Sequence, residues 1–235
     1  RAKTALSRAH AAWWFECRGD DRSPAIGQAN PPLRPARPER PELLDPRDVP
    51  KRKPGSPEGR IALLHAVAHI ELNAVDLHWD LIARFGHVEM PGGFYDDWVK
   101  AADEESKHFN LICDCLEAIG SHYGALPAHA GMWRAAEDTV DDLMGRLAVV
   151  PMVLEARGLD VTPGMIEIFR KAKQADAVAA LRGALGDPAT SVVSTPTLDQ
   201  LAGERRGHGV VADPAPAIDR VQSLRAAGLP PLQRG

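Results

Sequence analysis

The 235-residue sequence is poor in aromatic residues, at 5%, and has only three cysteines. Cys17, Cys113 and Cys115 make no disulfide framework, and a C-x-C spacing is not that of a zinc ribbon. An excess of positive charge is also missing. Lys and Arg number 28 against 32 Asp and Glu, for a formal net charge of -4. That argues against nucleic-acid binding driven by bulk charge, because phosphate contacts need clustered Lys and Arg. No run approaches the roughly 18–20 apolar residues of a membrane span. No charged start followed by an apolar stretch marks a signal peptide. These absences predict a cytoplasmic protein of a reducing compartment, with no membrane partner. The chain begins with Arg1 and not Met, which reads as a fragment or a processed product. What is present is a hydrophobic share of 44%, enough for a sizeable core.

The sequence divides into three parts. Residues 1–57 hold a short helix and a proline-rich extended arm. In the helix, Leu6, Ala9, Trp13 and Cys17 fall on one side, and Trp13 and Trp14 could dock it on a larger body. Ten prolines between Pro24 and Pro57 keep the arm extended. It reads as a linker or as a strap over the domain. Its basic residues are interleaved with acids and lack aromatics, which suits a solvated linker better than a phosphate site.

Residues 58–185 carry helical periodicity with no alternating β-branched segment, so the body is all-α. Ser56-Pro57-Glu58 predicts an N-cap, a proline at the first helical position and an acid in the first turn. That helix closes at Gly86. A second opens after Met90-Pro91-Gly92-Gly93 and stops near Gly120. A third spans Gly131 to Gly158 and is kinked or split at Pro151. Thr162-Pro163 starts a fourth, and a short helix covers Asp176 to Leu185. Residues 186–235 contain six prolines, six glycines and no aromatic, with no sustained period. A poorly ordered tail is predicted there.

Helical wheels place acids where a core should be. Glu71 sits in the arc of Leu64, Ala68, Val75 and Ile82, while His69, Asn73, Asp76 and Asp80 face the opposite way. Glu105 is surrounded by Trp98, Ala101, Ala102, Phe109, Ile112 and Leu116. His108 lies one turn on, so the two form an inward Glu-x-x-His pair. Glu155 shares a stripe with Met144, Ala148, Met152 and Leu159, whereas Glu137 is five turns away and outside any common site. Unpaired buried charges cost several kcal/mol, and a bound cation removes that cost. Glu from one helix with Glu-x-x-His from the next is half of a di-iron bundle site. Chance occurrence of Glu-x-x-His, and pairing of an inward acid with Arg84, Arg134, Arg146 or Arg157, are the competing explanations.

Four strings carry a resemblance: SPEGRIALLHAVAHIELNAVDL from Ser56, MPGGFYDDWVKAADEESKHF from Met90, YGALPAHAGMW from Tyr123, and VVPMVLEARGLDVTPGM from Val149. With the proline-rich ARPERPELLDPRDVPKR, they resemble a bacterial ferritin-like family of unknown function, catalogued as domain four-five-five. The resemblance implies a ferritin-like bundle with metal-ligand roles for Glu71, Glu105, His108 and Glu155. It also implies nearby or site roles for His69 and His129. Such proteins continue into a last helix with a second Glu-x-x-His, of the form DEIGHV. No such string follows Leu185 here, so the bundle reads as incomplete at its last helix, through divergence or a shifted reading frame.

Two functions follow as expectations. One is a di-iron or di-manganese carboxylate protein of oxidoreductase or hydroxylase type. It would act with O2 on a small-molecule substrate, and loss of the second Glu-x-x-His helix would impair it. The other is a non-catalytic helical scaffold or truncated remnant with a partial metal site. An incomplete bundle exposes apolar surface and favours self-association, so a homo-oligomer is expected.

Overall fold

The computed structural model describes residues 1–19, 25–148 and 156–185. Among them are seven helices and one pair of two-residue strands. The protein is all-α. The helices are α1 (Ala2–Gly19), α2 (Pro57–Arg84), α3 (Gly92–Ala118), α4 (Gly131–Glu137), α5 (Leu143–Leu147), α6 (Ala156–Lys171) and α7 (Ala175–Leu185). Strands β1 (Leu43–Leu44) and β2 (Ala128–His129) pair in parallel, Leu43 against Ala128 and Leu44 against His129. No helix among the described residues is long and apolar enough to cross a membrane.

The α2–α3 hairpin is the frame. Ser56 caps α2 as its spacing predicts, its hydroxyl accepting the Gly59 N–H at 3.0 Å, with Pro57 at the first turn. At the far end of α3, Gly120 takes φ +78° and lets the Ser121 N–H return to the Leu116 carbonyl at 2.8 Å. The hairpin is filled by two apolar clusters. One joins Leu64, Ala68 and Leu72 to Phe109, Ile112, Leu116, Phe169 and Leu181. The other joins Leu81 and Phe85 to Phe94, Trp98, Trp14 and Leu147. Early α2 meets late α3 and late α2 meets early α3, so the two helices run antiparallel.

Several expectations are corrected. The buried face of α1 is Thr4, Ser7, Ala11 and Trp14, while Leu6 and Trp13 are 60% and 53% exposed. Hydrogen bonds decide this. The Thr4 hydroxyl donates to Asn110, the Ser7 hydroxyl accepts from Trp79 Nε1 at 2.8 Å, and Trp14 Nε1 donates to Asp96 at 2.8 Å. Small polar residues there let the helix approach α2 and α3 closely. The supposed polar face of α2 is not solvated either: His69, Asn73 and Asp80 are buried. The third helical region breaks at residues 138–142, ahead of Pro151. The Thr139 hydroxyl bonds back to the Ala135 carbonyl at 2.9 Å, and the Asp142 carboxylate caps α5 on the Gly145 N–H at 2.9 Å. Helix α6 begins at Ala156 and holds Pro163 inside it, instead of starting at Thr162. A proline there removes one helical hydrogen bond, and the helix continues to Phe169, which is fully buried in the core. Pro151, Glu155 and the expected disordered tail after Leu185 lie outside the described residues.

Of the two readings of the arm, the strap is observed. The Leu33 carbonyl accepts from Trp133 Nε1 at 2.9 Å, and the Pro32 carbonyl accepts from Arg84 at 2.8 Å. Arg34 pairs with Glu137, and Arg37 hydrogen-bonds the Asn73 side chain. Glu137 is thus committed to the arm.

Candidate metal centre

Between the two apolar clusters, the hairpin interior carries Glu71, Glu105 and His108. Glu71 is 2% exposed, and the side chains of Glu105 and His108 are each 13% exposed. One ligand atom from each of the three lies within 4.8 Å of the others. His108 Nδ1 is 3.2 Å from the Glu105 carboxylate and 3.8 Å from that of Glu71. The i, i+3 spacing on α3 puts Glu105 and His108 on one face, and the antiparallel pairing with α2 brings Glu71 opposite. This is the one group of three or more such donors among the described residues. The sequence-predicted trio therefore converges.

The electrostatics are those of a shared site. Burial alone would raise Glu105. Hydrogen bonds with Glu71 and His108, together with the nearby His78 and His108 rings, outweigh it and hold Glu105 down at about 2. Two oxygen ligands and one imidazole nitrogen are a donor set that suits first-row divalent metals. His108 is already oriented by Glu105, so little ordering remains for it to become a ligand.

Three of the four arginines that could have neutralised these acids are placed elsewhere, and the Arg157 side chain lies outside the described residues. Arg84 and Arg146 both engage Asp80, at 2.7 and 2.5 Å, and Arg134 lies 3.6 Å from Asp45. Arg146 is 1% exposed and also bonds the Thr139 hydroxyl and the Ala136 carbonyl.

His69 is buried but does not join the trio. Its Nδ1 lies 2.8 Å from the Tyr123 hydroxyl and its Nε2 3.1 Å from the His129 carbonyl. The His129 ring turns to its own loop, Nδ1 accepting the Gly131 N–H at 3.2 Å. His65, another buried histidine of α2, accepts the Gly124 N–H on Nε2 at 2.9 Å. Burial pushes both His65 and His69 down to about 4, so both are neutral near pH 7. Sequence reasoning missed Tyr123 and His65. Their only signal was position: a histidine one turn before His69 on α2, and a tyrosine in the loop that α3 delivers beside them.

Comparison with known proteins agrees with the strings that suggested a family. An uncharacterised protein of Haemophilus influenzae is 47% identical over 146 residues, covering 60% of this chain and 51% of that protein. The chain thus spans about half the length of the curated relative it matches. No solved structure matches. Residues 1–192 match the family described as a protein of unknown function, DUF455, and the chain belongs to that family.

Proposed function

We propose that this chain carries a ferritin-like metal-carboxylate centre in which Glu71, Glu105 and His108 hold iron or manganese. One observation carries the reading. Two carboxylates and an imidazole converge in the interior of the α2–α3 hairpin, while the nearby buried arginines are committed to Asp80. Carboxylate oxygens and an imidazole nitrogen gathered in a buried place are the donors that a divalent ion would take. Glu155 is the proposed fourth ligand by family resemblance.

When bound, iron or manganese would supply one-electron chemistry with dioxygen or peroxide, of the oxidoreductase or hydroxylase type, toward a small-molecule substrate. The residues of the chain have separate tasks. Glu71 and Glu105 provide anionic oxygens from facing helices. Glu105 also orients the His108 ring. The two apolar clusters flank the donors and limit access of water to them.

The experiment is metal analysis of the purified protein after loading with Fe(II) or Mn(II). Cobalt(II) serves as a spectroscopic substitute whose ligand-field bands report nitrogen and oxygen coordination. Glu71→Ala, Glu105→Ala and His108→Ala should each lose the metal. Retention of full metal content in all three would reject the reading. A second reading, a non-catalytic helical scaffold with a partial site, is favoured by the fact that three donors converge among the described residues, half of a six-ligand di-metal set. Peroxide or dioxygen turnover by the loaded protein separates the two, since a scaffold binds without turnover.

A further inference from the structure

Helix α1 turns Thr4, Ser7, Ala11 and Trp14 into the body and presents an apolar face on its other side. Leu6 and Trp13 stand out from that face, 60% and 53% exposed. At about 100° per residue the face centres on Ala9, and Ala2, Ala5, Leu6, Ala12 and Trp13 all fall within about 60° of it. Every one of these residues is exposed. A single exposed apolar side chain is ordinary, but the outer face of a surface helix is normally polar. The polar residues that border this face are engaged with their own chain. Arg8 lies 3.4 Å from Asp103, Arg1 pairs with Asp114 at 2.6 Å and Glu117 at 3.0 Å, and the His10 ring meets Trp79 at 5.9 Å.

The face is complementary to itself. Lay a second α1 against it, antiparallel, with the two-fold axis at Ala9. Leu6 and Trp13 share one flank of the face, and Ala5 and Ala12 share the other. The two-fold then sets Leu6 against Trp13 of the second copy, and Trp13 against its Leu6. Ala5 meets Ala12 on the opposite flank, and Ala9 meets Ala9 on the axis. The alanines let the helices approach to the short end of the about 8–10 Å range of interaxial distances. The large side chains then cover each other along one edge.

Charge favours the same direction. Glu16 is the one charged residue near the centre of the face, and α1 has no acid in its own first turn. The antiparallel register places Glu16 beside Ala2 of the second copy, where the partial positive charge of a helix start attracts a carboxylate. A parallel pairing would instead bring the two Glu16 side chains together.

We propose that the outer face of α1 is a homodimer interface, occupied by the same face of a second copy in antiparallel orientation. The interface is isologous, so each contact occurs twice. One helix face falls short of the about 800 Å² per partner of a standard interface, so the association is reversible and depends on concentration. The proposal does not depend on the metal reading, because α1 supplies none of the Glu71–Glu105–His108 donors.

The test uses the full 235-residue chain. Sedimentation equilibrium from micromolar to millimolar concentration should show a monomer–dimer transition. Trp13→Ala should raise the dissociation constant by roughly thirtyfold or more, the scale of a central interface tryptophan. Glu16→Gln should raise it by roughly threefold. Both side chains are exposed, so thermal unfolding of dilute protein should be unchanged in both variants. Cross-linking fixes the direction, in a Cys17→Ser background. Under oxidation Ala9→Cys should give a disulfide-linked dimer, because its two copies meet on the axis. Ala2→Cys should not, because its two copies lie roughly 21 Å apart along the helix. A chain that stays monomeric throughout would overturn the proposal, and would show that the face is left to solvent or to another segment of the same chain. An oligomer indifferent to Trp13→Ala would overturn it by placing the interface elsewhere. Linkage through Ala2→Cys as efficient as through Ala9→Cys would overturn the antiparallel register.

Discussion

Helix α2 buries two acids two and a half turns apart, Glu71 and Asp80, and surrounds them in opposite ways. Asp80 is clasped by Arg84 from its own helix and by Arg146 from α5, with the Arg146 guanidinium also spent on Thr139 and Ala136. Every charge there has an opposite neighbour, and the result ties α5 to the hairpin. Glu71 faces another carboxylate and an imidazole. The first arrangement is complete within the protein and serves structure. The second gathers three donors that, on the reading proposed above, would hold a cation. Buried acids are therefore not one class: what distinguishes a structural one from a candidate ligand is the charge of what was brought to meet it.

The largest expected effect breaks the Asp80 side. Asp80→Leu leaves Arg146 as an uncompensated buried cation and should lower unfolding free energy by about 3–5 kcal/mol, read by urea denaturation. The same change at the other site should cost less. Glu71→Leu removes an acid whose neighbours are the Glu105 carboxyl group and the His108 imidazole, and should destabilise the metal-free protein by about 1–3 kcal/mol, the scale of a lost buried hydrogen bond, while abolishing metal binding. Destabilisation by Glu71→Leu equal to that by Asp80→Leu would erase the distinction between the two sites.

Acid titration sharpens the comparison further. His65 and His69 are bases whose folded values, about 4, lie below the ordinary 6.5. The unfolded chain therefore binds more protons between those values, and the stability these residues contribute is complete above about pH 6.5 and drains as pH falls toward 4. Glu105 is an acid held at about 2 against an ordinary 4.5. Its contribution is present above pH 4.5 and is lost only as pH falls from there toward 2. Thermal melts of metal-free protein should thus weaken first between pH 6.5 and 4. His65→Gln should flatten that interval, and Glu105→Gln should leave it unchanged.

The smallest effect concerns the strap. Arg37 hydrogen-bonds Asn73 and lies 5.9 Å over the Trp133 ring. Arg37→Ala should cost about 1 kcal/mol and speed proteolytic cleavage within residues 25–55, with the body intact. Unchanged cleavage would show that the Trp133 and Arg84 bonds to the arm's carbonyls hold it without Arg37.

Much of the hairpin was legible in the sequence. The Ser56-Pro57 cap, the inward direction of Glu71, and the Glu105–His108 pair all follow from local chemistry and a 3.6-residue period. Two kinds of feature were not. The wheel ranked α1 by greasiness and chose Leu6 and Trp13, whereas hydrogen bonds of Thr4, Ser7 and Trp14 turned the other face inward. It likewise set His69, Asn73 and Asp80 toward solvent, because it could not know that the arm, the Tyr123 loop and α5 would cover that side. Arg146, a candidate partner for the inward acids by sequence, went to Asp80, with which the wheel had no means of pairing it.

The division has a physical basis. Periodicity and capping act within one helix, so the sequence by itself determined an all-α body, the start of α2, and which donors project from one face of α3. Which acid receives arginine and which receives a histidine depends on contacts between residues far apart in the chain. Arg146 reaches Asp80 across 66 positions and Tyr123 reaches His69 across 54. Only the tertiary structure decided those pairings, because burial makes each charge dependent on whatever the fold sets beside it.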